Sequence, residues 1–384
     1  MTDTLTHDHA TVLEQRRQAA AEARRLKTLN SIFELRAFIA LGVLIIVFSL
    51  LSDSFLTVDN LITMTKHVAI NGILALGMLL VILKGGIDLS VGSIVGLSGV
   101  VAGELLKGVH LSLFGVIAYP PVWAVVILCI AVGAVVGTVN GILVTRLNVA
   151  PFIATLGMLY VARGAALLIS GGTTYPNLAG QPSTHNTGFD WIGGGRPLGL
   201  PVAIWIMVIL VAVVAVLLRS TPFGRWLYAT GGNERATELT GVPVKRVKTI
   251  VYMISGACAA MSGIIIASEL TSAAPQAGDS FELNAIAAVV IGGAALSGGR
   301  GNVRGTLVGA FVIGFLADGL VILGVSTFWQ IFIKGTVIIV AVILDQSQQR
   351  FQRRGAAASA VAVATTNEPT DLGATKVRPE DTAP

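Results

Sequence analysis

Between Arg36 and Asp345 polar residues cut the chain into ten apolar runs, most of them close to 20 residues long. An α-helix rises about 1.5 Å per residue, so a run of ~20 residues crosses the hydrocarbon of a bilayer, which is about 30 Å thick. Repeats of that kind leave little room for a water-soluble fold. Charged residues make up 12% of the chain and apolar ones 54%, against about 25% charged in a soluble domain. The short alternating segments of a membrane β-barrel are absent. The expected fold is therefore an all-α polytopic membrane protein. Its spans are read at about 37–52, 67–83, 91–107, 122–144, 149–169, 200–218, 249–269, 284–297, 305–323 and 327–344. The third and eighth are the weakest, being glycine-rich or short.

Basic residues test that count, because Lys and Arg collect on the cytoplasmic side. With the N-terminus inside, the inner connections hold Lys84, Arg146, Arg219, Arg225, Arg235, Lys245, Arg246, Lys248, Arg300 and Arg304, and the outer ones Lys66, Lys107 and Arg196. The asymmetry favours an even number of spans with both termini cytoplasmic. Residues 1–35 read as a basic cytoplasmic tail with no cleavable leader, and residues 346–384 as a disordered cytoplasmic tail rich in Ala, Thr and Pro. Residues 36–345 are the membrane domain. It has one long external loop at 170–199, either a plain connector or a contact for an external partner, and one long inner loop at 219–248.

Two features stand out within this frame. Small residues recur at four-residue spacing, as in Gly92–Gly96, Gly99–Gly103, Gly133–Gly137–Gly141 and Gly301–Gly305–Gly309, a pattern that lets helices approach closely in lipid. The passage GGIDLSVG at 85–92 also places Asp88 and Ser90 between two apolar runs, and GGAALSGG at 292–299 echoes it. Glycine relaxes the backbone and Asp or Ser caps a helix start, so the first passage reads as a helix break. Gly85 and Gly86 end the second span, Asp88 or Ser90 caps the third, and Gly92 packs closely. The echo extends the reading to Gly292, Gly293 and Ser297, and Asn71 inside the second span is placed with them on a translocation path. A purely structural cap at Asp88 stays open beside direct contact with a solute.

Chemical motifs are few. There is no phosphate-binding G-x-x-x-x-G-K-[ST] loop, no nucleophile–base set, no cluster of metal ligands and no disulfide framework, since Cys129 and Cys258 both lie in apolar runs. The chain is thus not expected to be an enzyme, to carry a metal or cofactor, or to bind nucleic acid despite its net charge of +5. The carboxylates that could couple transport to ions are Glu104, Glu269, Asp318 and Asp88, each near a span end or a break. Arg163 and Lys334 are each read as snorkelling to an interface or as held in a structural pair, with Asp318 the partner named for Lys334. A path poor in charge suits a neutral polar solute driven by energy from elsewhere. The loop 219–248 offers a docking surface for that drive: Asn233 is a helix cap, Glu234 suits a helix start, and Gly241 with Pro243 ends a short helix. An ordinary interfacial helix is the alternative.

The passages GGIDLSVGSIVGLSGVVAGELL, NVAPFIATLGMLYVARG, GRWLYATGGNERATELTGVPVKRVK and IAAVVIGGAALSGGRGNVRGTLVGAF resemble, in this order, the ribose/xylose-type ABC sugar-importer permeases of bacteria. The resemblance covers about residues 37–345. It implies a ten-helix, B12-importer-like (type II) architecture in the inner membrane and a monosaccharide as solute. It also implies a permease homodimer, a separate cytoplasmic ATP-binding subunit and an extracytoplasmic sugar-binding protein. By the same resemblance Gly232, Asn233, Glu234, Ala236, Glu238, Leu239, Gly241 and Val242 form the ATPase-coupling segment. An ion-coupled secondary carrier and a passive channel are the competing readings.

Overall fold

The computed structural model describes residues 37–111, 115–180, 186–343 and 346–347. The first half holds α1 (Ala37–Leu51), α2 (Val58–Leu83), α3 (Val91–Lys107), a hairpin of β1 (Val109–Leu111) and β2 (Val116–Ala118), α4 (Val122–Thr145) and α5 (Pro151–Ser170). The second holds α6 (Asp190–Gly194), α7 (Val202–Ser220), α8 (Pro222–Gly232), α9 (Glu234–Leu239), α10 (Val244–Glu269), α11 (Phe281–Ile291), α12 (Val303–Ile322) and α13 (Thr327–Ile343). All lie within the unit Leu35–Asp345; the expected tails, residues 1–35 and 346–384, fall outside the described residues apart from 346–347.

Each apolar run contains a helix, and α2, α4, α5, α7, α10 and α12 are long and apolar enough to cross a membrane. This is a multi-pass membrane protein. Several boundaries differ from expectation. α2 begins at Val58 rather than near residue 67, because Thr63, Lys66 and His67 are carried inside the helix instead of preceding it. α11 stops at Ile291 and covers 11 residues, well short of the expected 284–297 span. The loops expected outside are not plain coil: α6 sits in one, and the β1–β2 hairpin, with Val109 opposite Ala118, joins α3 to α4.

Burial orders the helices. In α2 83% of the apolar stretch is buried, against 22% in α4 and in α5, so α2 is the central post and the others present side chains to lipid. α2 packs against α10, α12, α11 and α7, while α10 also packs along α3 and most extensively along α4. The glycine ladder of α4 explains the last contact. A Cβ on Gly133 would strike the Gly256 carbonyl, one on Gly137 the Tyr252 carbonyl, and one on Gly141 the Thr249 backbone. Lipid offers helices no hydrophobic reward for associating, so the close approach these glycines allow supplies the attraction. Gly137→Leu is expected to lower the folded fraction in detergent by about 1–3 kcal/mol in thermal unfolding. Gly157→Leu, where nothing lies within 4 Å, should leave the melting curve unchanged.

Candidate functional site

The break between α2 and α3 is built on a buried carboxylate. α2 ends in a Schellman turn: Gly85, at φ +80°, donates to the Ile82 carbonyl, and Gly86 donates to that of Val81. The chain then folds back through Ile87 to Asp88, which has no solvent exposure. Asp88 Oδ1 accepts from the Ser90 N–H at 3.1 Å and the Ser90 hydroxyl at 2.6 Å, closing an Asx turn. Oδ2 accepts from the Ser255 hydroxyl of α10 at 3.0 Å, and Asn140 Nδ2 of α4 donates to Ser90 Oγ at 2.9 Å. Three segments, the break, α4 and α10, thus meet on one side chain and its serine. Neither Asp88 nor Ser90 caps α3 by a side-chain bond, which corrects the expected role: the carboxylate shapes the turn before the helix. Lys84 is also buried, with Nζ 3.9 Å from the centre of the Tyr252 ring. Asn140 Oδ1 and the Tyr252 hydroxyl have no partner among the described residues.

The second glycine motif meets the first. α11 also ends in a Schellman turn, with Gly293 at φ +91° donating to Val290 and Ala294 to Val289. Its loop returns so that the Gly299 N–H reaches the Leu83 carbonyl of α2 at 2.8 Å. Gly231 of α8 fits against both; a Cβ there would overlap the Leu83 carbonyl and lie 2.5 Å from the Gly299 nitrogen. Tyr228 of α8 donates to the Gly301 carbonyl at 2.7 Å. The end of α2, the loop after α11 and the end of α8 therefore touch backbone to backbone. The echo is not a copy of the break: Ala295, buried, stands where Asp88 does in the first motif, and Ser297 is exposed. Gly292 serves helix packing, set against the Gly305 backbone of α12. Gly92 lies against the Gly278 carbonyl and Glu282 rather than in the Asp88 cluster. Asn71, twelve residues before Leu83 on α2, sits ~18 Å from the break along the helix axis.

The inner loop carries more structure than expected. Its 11-residue α8 starts with Thr221 capping the Gly224 N–H at 3.3 Å and Pro222 in the first turn, a Thr-Pro start signal visible in the sequence but not read. α9 follows at the expected place: Asn233 Oδ1 accepts from the Ala236 N–H at 3.0 Å, and Gly241 takes φ +83° after the helix. Gly232, Asn233, Glu234, Ala236, Glu238, Leu239 and Gly241 are exposed, Leu239 at 78%, and Val242 is half-buried. Glu234 Oε1 pairs with Lys248 Nζ of α10 at 2.5 Å, which holds α9 against the bundle.

Charges nearer the outer helix ends are paired. Lys66 Nζ meets Glu269 Oε1 at 2.5 Å, and His67 Nδ1 meets Asp318 Oδ1 at 3.0 Å. The Tyr175 hydroxyl donates to Glu104 Oε2 at 2.6 Å. Lys66, Glu269 and Arg196 line an open pocket of about 260 Å³. Arg163 does not snorkel: its guanidinium donates to the Pro275 and Ala277 carbonyls and to Asp279 Oδ1. Asp318 bonds His67 of α2 and also interacts electrostatically with Lys334.

The family model described as branched-chain amino acid transport system / permease component matches residues 60–342. The chain belongs to this permease family. The permease is 42% identical to the ribose import permease protein RbsC of Escherichia coli K12 over 333 residues, covering 85% of this chain and 98% of that protein. It is 45% identical to the protein of the same name from Bacillus subtilis 168 over 332 residues, covering 86% and 98%. It is 36% identical to the L-arabinose ABC transporter permease protein AraH of Azospirillum brasilense over 312 residues, covering 81% and 87%. No solved structure matches the permease.

Membership in the permease family sets aside the ion-coupled carrier. The structure adds that Glu104, Glu269, Asp318 and Asp88 all have bonded partners. Ser255, the partner of Asp88, and Asn140, the partner of Ser90, were missed in the sequence, although both are polar residues inside apolar runs and carry that signal. In the permease, Asp88→Ala leaves the Ser90 and Ser255 hydroxyls without their acceptor. It is expected to destabilise the detergent-solubilised protein by about 1–3 kcal/mol, read by thermal unfolding, with Asp88→Asn intermediate.

Proposed function

We propose that the permease is the membrane subunit of an ATP-driven importer for a monosaccharide such as ribose. It works as a homodimer with a cytoplasmic ATP-binding subunit and an extracytoplasmic sugar-binding protein, in the type II, ten-span arrangement with both termini inside. The observation that carries this reading is the exposed α8–α9 pair joined by backbone contact to the break at Gly85–Ser90. A six-residue helix is too short to hold itself in water, and Leu239 is an apolar anchor left exposed among the described residues. α9 at the tip seats in the ATPase, α8 transmits its displacement, and Gly231 presses on the end of α2 and the loop after α11. Since Asp88 ties that loop region to α4 and α10, motion at the tip reaches the core. Relatives named for ribose and arabinose import support the choice of solute.

Two substitutions separate docking from transmission. Leu239→Glu is expected to lower recovery of the ATPase subunit in co-purification at least about tenfold, the cost of losing a buried apolar anchor, and to abolish ATP-dependent D-ribose uptake in proteoliposomes. Gly231→Val is expected to keep ATPase recovery at the wild-type level while uptake falls, because its side chain wedges open the contact with Leu83 and Gly299. Uptake that persists without ATP and collapses with an ionophore would falsify the proposal.

A further inference from the structure

The passage from α10 to α11 crosses the membrane interior as irregular chain. α11 rises only ~16 Å, and residues 270–280 make up the remainder. Their depth is fixed by α3. A Cβ on Gly96 would strike the Pro275 and Ala277 carbonyls, and one on Gly92 the Gly278 carbonyl. Gly96 and Gly92 lie 11 and 15 residues below Lys107, the outer end of α3, so this segment runs about 16–22 Å beneath that end. Irregular backbone at such depth persists only where it is buried in protein or lines water. Part of it is buried: the Pro275 and Ala277 carbonyls are satisfied by Arg163.

Its other side is open and polar. Gln276, Asp279 and Ser280 are exposed, the Asp279 side chain at 74%, and Asn284 follows one turn into α11 half-exposed. Among the described residues Asp279 accepts through Oδ1 alone, and the Ser280 hydroxyl makes no hydrogen bond. Ser280 is also held at φ +65°, a left-handed conformation that costs a non-glycine residue energy and gathers at functional sites. On α5, beside Arg163 and therefore near the same level, the exposed side chains include Tyr160 and Val161, which lipid accepts. An exposed carboxylate at the same level cannot face hydrocarbon.

We infer that Asp279, Ser280, Gln276 and Asn284, with Asp279 oriented by Arg163, line the aqueous path and bind the hydroxyl groups of the transported monosaccharide. A carboxylate, a hydroxyl and two carboxamides supply both acceptors and donors, as neutral sugar hydroxyls require. This inference rests on the proposed function and moves the point of solute contact from the Gly85–Ser90 break, whose polar groups are turned into the protein, to the segment opposite Gly92 and Gly96.

The test uses the complete importer, with its ATPase and sugar-binding protein, in proteoliposomes. Native Cys129 and Cys258 are buried, so a Ser280→Cys thiol can be followed over a low background. It is expected to react with a charged, membrane-impermeant methanethiosulfonate reagent, and saturating D-ribose should slow the reaction severalfold. Reaction only with a lipid-soluble maleimide, disulfide formation between two copies without aqueous labelling, or labelling that D-ribose leaves unchanged would each overturn the assignment. Asp279→Asn is expected to cut ATP-driven uptake about tenfold, the worth of one charge-assisted hydrogen bond, while the complex assembles and melts as the wild type does. Loss of assembly or of thermal stability in step with uptake points to a structural role and also overturns it. Wild-type uptake in the same vesicles separates the two levels: its absence sinks the importer reading, whereas its presence with an unreactive thiol sinks only the sugar contact.

Discussion

In hydrocarbon every backbone N–H and C=O must find a partner within the protein, and this demand shapes the permease. A continuous helix meets it internally. The chain departs from that solution at residues 84–90, which lead into α3, and at 270–280, which pack against it, and meets the demand differently in each. At the first, the buried Asp88 carboxylate takes the Ser90 N–H and is itself held by the Ser90 and Ser255 hydroxyls; at the second, the Arg163 guanidinium serves two carbonyls. Both use a charge that would be costly in lipid if it stood alone. Each charge is held by hydrogen bonds from several elements, so the breaks also fasten α3, α4, α5 and α10 to one another.

Close backbone approach is the second device. Along the α4–α10 seam it gives attraction that apolar side chains cannot supply in a lipid solvent. At the inner end of the bundle, Gly231, Gly85 and Gly299 let three segments meet without intervening side chains. A contact made of backbone has little slack, because there are no rotamers to absorb a displacement. That property suits a mechanical joint, whereas the long side chains of a polar interface would damp the same motion.

The sequence made the helical class legible, since ten apolar runs of membrane length have few other uses. The Asn233 cap, the Gly241 stop and the presence of a break at Gly85 were legible too, because each depends on local backbone chemistry. The partners of Asp88 and Ser90 were not: Ser255 and Asn140 lie far away in the chain, and only packing brings them together. At Arg163 local charge patterning left snorkelling and structural pairing both open and named no partner. Its true partners are carbonyls more than a hundred residues later, on a segment whose irregular course no apolar periodicity announces. α8 was hidden by its short length and mixed composition, although its Thr-Pro start was available.

The bond from the Gly299 amide to the Leu83 carbonyl has a consequence for how the molecule is made. Leu83 is in the last turn of the central helix, whose final carbonyls have no helical donor. The Schellman turn serves Val81 and Ile82, and Leu83 is left for a strand of chain from the other half of the protein. During synthesis the first turns of α2 can be completed as soon as their neighbours arrive, but its C-terminal tip stays open until the loop after α11 has been threaded into place. The inner end of the post around which the bundle is built is thus the part of the core to close late, and its closure registers that the second half of the chain has been inserted.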